Sequence, residues 1–194
     1  MEQLIPVAPV RPVAPYLGGK KNLARRLTAL IEATPHTSYA EPFVGMGGIF
    51  LRRRARPKAE AINDISGDVT TLFRILQRHY QAFMDMLRWQ LTSRADFERL
   101  TVTDPDTLTD LERAARFLYL QRVAFGGKVA SRHFGVSAAT PARFDVTKLA
   151  PMLAEVHERL APVAIERLPY ADFTFFESVD FEPKQGLKQG SNKS

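Results

Sequence analysis

Residues 41–50 read Glu-Pro-Phe-Val-Gly-Met-Gly-Gly-Ile-Phe: an acid and a proline, an apolar pair, three glycines in four positions, then an apolar run. Without Cβ atoms, Gly45, Gly47 and Gly48 permit a tight turn and let a ligand touch the backbone. Amides at the start of a following helix would point at that ligand. Asp64 comes 19 residues after Gly45, at the end of the next strand-like segment. An acid in that place accepts hydrogen bonds from ribose hydroxyls in doubly wound folds. A dinucleotide fingerprint wants a third glycine three positions after Gly47, and the residue there is Phe50. The pattern suits a nucleoside ligand without a diphosphate better than a nicotinamide dinucleotide. The alternative is a purely structural glycine turn beside a solvated Asp64.

Upstream, Pro15-Tyr16-Leu17-Gly18-Gly19-Lys20 precedes an amphipathic segment. A lysine at a helix start opposes the helix dipole, so Lys20 suits a carboxylate, and Tyr16 suits stacking on a ligand. An ordinary helix start with a solvent-facing lysine remains the alternative. Downstream, Gly-Gly-Lys-Val-Ala-Ser-Arg-His-Phe-Gly carries Lys128 and Arg132. Arginine prefers guanine edges and lysine serves phosphate or base, so both are candidate nucleic-acid contacts; a solvated basic hairpin is the other reading. There is no cysteine, and the four histidines lack ligand spacing, so no metal site is expected.

The elements that must hold these residues alternate. Leu23, Leu27, Leu30 and Ile31 mark one face of a helix that Pro35 ends. Ser-Tyr-Ala-Glu-Pro-Phe-Val reads as a strand, the glycines open a short helix, and Ala-Glu-Ala-Ile-Asn-Asp reads as a second strand. Val69, Leu72, Phe73 and Leu76 then give an amphipathic helix. Strand, helix, strand, helix is the order that builds parallel sheets. Residues 80–125 are helical in pattern throughout, residues 126–145 read as a hairpin or long loop, residues 145–160 as a helix, and Val163 with Ile165 as a third strand. The last fourteen residues have no period and read as a disordered tail.

The chain of 194 residues carries a formal charge of +6, with the excess in its first sixty residues. Such a balance suits a phosphate-bearing partner, although it equally describes a soluble basic protein. The N-terminus is apolar but has prolines at 6, 9, 12 and 15 and Glu2 where an export signal would be basic, so it reads as an extended arm. No apolar run approaches membrane-spanning length, and a cytoplasmic protein is expected.

Five segments in order, Pro-Tyr-Leu-Gly-Gly-Lys-Lys-Asn-Leu, Glu-Pro-Phe-Val-Gly-Met-Gly-Gly, Ile-Asn-Asp-Ile-Ser-Gly-Asp, Phe-Leu-Tyr-Leu-Gln-Arg-Val-Ala-Phe-Gly-Gly-Lys and Ile-Glu-Arg-Leu-Pro-Tyr-Ala-Asp-Phe, resemble the Dam-type adenine-specific DNA methyltransferases, phage and prophage forms in particular. The resemblance covers roughly residues 14 to 174. It implies S-adenosylmethionine as methyl donor, adenine in double-stranded DNA as acceptor, and the restriction-modification and phage settings of such enzymes. The implied architecture is α/β: a Rossmann-like methyltransferase fold over 14–78 and 146–178, an inserted helical and hairpin target-recognition subdomain over 79–145, an arm over 1–13 and a tail over 181–194. By motif, Tyr16 and Lys20 would touch the adenosine and methionine ends of the cofactor. Glu41, Pro42, Phe43 and Gly45 would line the pocket, Asp64 would hold the ribose with Ile65 beside the adenine, and Pro169 and Tyr170 would close the third strand's side. Lys128 and Arg132 would meet DNA.

The same resemblance implies a catalytic Asp-Pro-Pro-Tyr, whose carboxylate and proline carbonyl accept hydrogens from a flipped adenine amine while the ring stacks on the base. The chain has none. Its one Asp-Pro, Asp104-Pro105, reads as a polar turn ahead of a helix. No catalytic residue is therefore assigned. The expectation is a family member cut short before its catalytic strand, inactive alone, incomplete at the C-terminal side of its sheet, and open to a second chain that supplies the missing strands. The alternative is a non-catalytic DNA-binding module.

Overall fold

The computed structural model describes residues 4–19, 21–90, 92–124 and 144–173. A three-stranded parallel sheet carries the site, in the order β2-β4-β5: β2 is Ser38–Glu41, β4 is Ala59–Asn63 and β5 is Ala164–Glu166. Ala40 pairs with Ala61, and Ile62 pairs with Ile165. Glu60, Ala61, Ile62 and Asn63 are all buried, as a central strand covered on both faces requires. Among the described residues β2 lies at one edge of this sheet.

Helix α2, Gly67–Arg78, follows β4 and lies against β5, against α5 (Asp110–Val123) and against α6 (Val146–Leu160). The residues that set its sequence period, Val69, Leu72, Phe73 and Leu76, are all buried. Its polar side ties the layers: Gln77 donates to the carbonyls of Leu160 and Val163, and Arg74 donates to that of Ile165. The block expected to be helical contains α3, Tyr80–Leu87, α4, Arg94–Val102, and α5. Each start has a local cause. Ser93 caps α4 by accepting the Asp96 amide, and Thr109 with Glu112 forms a reciprocal capping box on α5. Pro151 lies inside α6 and has no N–H to donate to the preceding turn.

At three points the structure departs from the sequence reading or adds to it. The segment after the glycines is a single 3-10 turn, Phe50–Arg52, rather than an α-helix. The chain turns extended at Arg53, whose fully buried guanidinium reaches Glu60 at 2.7 Å. The N-terminal arm is paired and packed. Its strand β1, Ile5–Pro6, pairs antiparallel with β3, Ala55–Arg56, and Val10, Val13 and Ala14 join the core. In α1, Lys21–Ala33, the buried residue is Ala24, while Leu23 and Leu30 of the expected apolar face are exposed. The 126–145 hairpin falls outside the described residues except at its last two positions, and the tail falls wholly outside. No described helix is long and apolar enough to cross a membrane.

Beneath the sheet lies a buried charged group. Glu60 accepts Arg53 Nη1 at 2.7 Å, Arg159 Nη1 at 2.7 Å and Arg159 Nη2 at 2.8 Å. Arg53 lies over the Tyr39 ring at 3.8 Å and Arg159 over Phe50 at 4.0 Å. Two guanidiniums on one carboxylate leave a buried net positive charge.

Candidate functional site

The site starts where β2 stops. After Glu41 the chain turns through Gly45, at φ +50, and Gly47, at φ +72, left-handed values that favour glycine. A Cβ on Gly45 would lie 3.1 Å from the Tyr16 ring, and one on Gly47 would lie 2.7 Å from Leu51. At these two positions the bare backbone admits the protein's own side chains. Gly48 and the rim of Gly45 line a cleft.

Asp64, just past β4, closes this turn. Its Oδ2 accepts the Gly45 amide and its Oδ1 the Ser66 amide, each at 2.9 Å. The Gly45 amide is therefore taken by the protein itself. The carboxylate still has lone pairs, because an ionised carboxylate has about four acceptor sites. Asn63, buried beside it, spans three strand ends. Its amide nitrogen donates to the carbonyls of Pro42 (3.1 Å) and Leu168 (3.0 Å), and its oxygen accepts the Leu168 amide (2.8 Å).

The cleft, of about 700 Å³, runs between the arm at residues 11–19 and the glycine turn. Tyr16, Glu41, Phe43, Gly45 and Asp64 line it together. Pro42 does not; Asn63 holds its carbonyl. Ile65, Pro169 and Tyr170 are exposed and lie outside the lining, although the Tyr170 ring stands 5.7 Å from that of Phe43. Lys20, Lys128 and Arg132 fall outside the described residues.

Electrostatics distinguish the two ends of the site. Glu41 is buried and accepts the Tyr39 hydroxyl at 2.8 Å. Burial first, and the Glu41 charge second, push the Tyr39 pKa up, so the hydroxyl stays a donor at ordinary pH. Burial, then Asp64, raises that of Tyr16. Arg11, Arg52 and Arg122 line the same cleft as Glu41 and Asp64. Among the described residues its lining has no histidine, lysine, serine or threonine. The arginines, Asn63 and Met152 were not singled out from sequence; of these, only Asn63, immediately before Asp64 at a strand end, stood where a signal was visible.

The family model of the D12 class N6 adenine-specific DNA methyltransferases matches residues 16–144. The chain belongs to that family. The match begins at Tyr16, runs through the glycine turn and Asp64, and takes in Lys128 and Arg132. For this D12 class member, β5, Pro169 and Tyr170 lie beyond the matched span. A type II methyltransferase, M1.LlaDCHI of Lactococcus lactis subsp. cremoris, is 27% identical over 124 residues, which is 61% of this chain and 43% of that protein. The D12 class chain thus spans less than half the length of this relative.

Proposed function

We propose that the cleft binds S-adenosylmethionine and that the chain is the cofactor-binding and DNA-recognition part of an enzyme that methylates adenine in double-stranded DNA. The observation that carries this reading is Asp64, fastened to the Gly45 turn at the carboxyl ends of parallel strands, the place where such sheets take ligands. The donor set fits. Asp64 keeps acceptor capacity for ribose hydroxyls, Tyr16 and Phe43 offer ring faces, and Glu41 with the arginines matches an amino-acid end of both signs. When bound, S-adenosylmethionine supplies an electrophilic methyl group on its sulfonium. Tyr16 and Gly45 shape the pocket, Pro42 is held in register by Asn63, and Lys20 serves the methionine carboxylate. Ile65, Pro169 and Tyr170 extend the site beyond the cleft, where the Phe43–Tyr170 pair forms an exposed apolar shelf for a base.

On this reading residues 14–78 and 146–178 form a Rossmann-like unit. Residues 79–145 form an inserted recognition subdomain, in which Lys128 and Arg132 contact DNA. The 194 residues contain no Asp-Pro-Pro-Tyr, and the Asp104 carboxylate accepts the Asp106 amide in an exposed turn. Among the described residues β2 has an unpaired edge, which is open to a further strand, and a second chain is the proposed source of the missing strands and of the catalytic carboxylate. The absent motif also favours a second reading, a DNA-binding module without catalysis.

Calorimetric titration of the chain with S-adenosylmethionine, beside Asp64→Ala, tests the first reading. One-site binding lost in the variant supports it. Salt-dependent duplex binding with no cofactor binding supports the second. Labelled-methyl transfer to unmethylated DNA by this chain alone would overturn the assignment of the catalytic group to residues outside it.

A further inference from the structure

We propose that Arg122 is a positioning residue that sets cofactor affinity by holding one wall of the cleft from the helical layer. The inference rests on the cofactor reading above. Arg122 is on the last turn of α5, and its Nη1 donates to the Val13 carbonyl at 3.0 Å, 109 residues away in sequence. Val13 and Ala14 are buried, and the next residues of the arm, Pro15 and Tyr16, face the cleft. The same helix touches the arm again: Phe117 meets the Tyr16 ring edge-on at 6.5 Å. Tyr16 in turn lies on Gly45, where no Cβ fits without displacing it, and Gly45 is bound to Asp64. An unbroken series of contacts thus runs from α5 through the arm to the glycine turn. Arg122 also lines the cleft itself. It therefore both anchors the wall and faces what the wall encloses. A buried carbonyl that loses a charged donor loses a strong hydrogen bond, and a wall freed at Val13 no longer holds the Tyr16 ring on the turn.

The test uses the whole chain and the variants Arg122→Ala and Arg122→Lys, with two readouts: calorimetric affinity for S-adenosylmethionine, and amide hydrogen exchange of the ligand-free proteins. The expected result for Arg122→Ala is roughly tenfold weaker binding, faster exchange confined to residues 10–19, and unchanged exchange in β4 and α2. Arg122→Lys, which retains a cationic donor, recovers most of the affinity. Exchange of the arm at the wild-type rate in Arg122→Ala would overturn the proposal. So would a loosened arm with unaltered affinity, or protection lost equally throughout β4 and α2. If the wild-type chain takes up no S-adenosylmethionine, the cofactor reading falls, and the exchange comparison alone decides whether Arg122 holds the arm.

Discussion

The Asp64 carboxylate and the Gly45 amide meet at 2.9 Å across 19 residues of sequence. This contact joins the end of β4 to the turn that follows β2, and a second one, to the Ser66 amide, uses the other oxygen. One acid thus serves two backbone donors before any ligand arrives. Asp64→Asn presents an amide nitrogen to one of those donors. The expected outcome is a loss of about 2 kcal/mol, the scale of a hydrogen bond to a charged group, read as a lower urea midpoint. A midpoint equal to wild type would show that the turn does not depend on the carboxylate.

The glycines differ in what replacement would meet. Gly18, at φ +78, has open space where a Cβ would go, whereas Gly47, at φ +72, has Leu51 at 2.7 Å. Gly18→Ala carries only the left-handed backbone penalty of about 1–2 kcal/mol. Gly47→Ala adds displacement of a buried leucine and is the more damaging of the two. Thermal melts of the pair check the order; equal losses would contradict it.

Glu60 is the carboxylate that two buried guanidiniums share. Its replacement by glutamine leaves Arg53 and Arg159 buried beside a neutral group, and a loss of about 3–5 kcal/mol is expected. Chemical denaturation of Glu60→Gln gives the number. A change under about 1 kcal/mol, the range of exposed ion pairs, would mean that water reaches the group.

Asp145 caps α6, accepting the Thr147 amide at 3.0 Å and its hydroxyl at 2.6 Å. The Thr147 hydroxyl first, then Lys148, lowers its pKa from 3.8 to about 2. A carboxylate depressed on folding contributes stability that is present above its unfolded value and disappears as pH falls through the folded one. Fraying of the α6 start is therefore expected as pH drops from about 4 to about 2, followed by carboxyl-carbon NMR of Asp145. A midpoint at the unfolded value would remove the cap from the account.

The parts legible in sequence were those with local causes. The β4–α2 boundary follows from an acid-capped strand end and a 3.6-residue apolar period, and the glycine turn from residues that tolerate positive φ. Glu41, Gly45 and Asp64 came together because strand order alone brings their ends side by side. Asn63, Arg122 and the Arg53–Glu60–Arg159 group were not legible, because each acquires its meaning from a partner far along the chain. Leu168 stands 105 residues from Asn63, and Glu60 stands 99 residues from Arg159. The packed arm escaped notice for a related reason. Alternating prolines and valines give no helical or strand period, yet Val10 and Val13 fill the core. The 3-10 turn escaped because Arg53 leaves the helix for Glu60, seven residues on in β4, a pairing that no residue period announces.

The central position of β4 also carries a cost in time. Its partner β2 is synthesised before it, but the backbone that Asn63 grips on the other side arrives 105 residues later. At ribosomal speeds of about 5–20 residues per second, that is a wait of roughly 5 to 20 s. For that interval Ile62 stands at the open margin of a two-stranded ribbon. Helices α2 to α5 leave the ribosome during the wait, so their collapse onto the nascent ribbon, rather than strand pairing, must shield it from neighbouring chains.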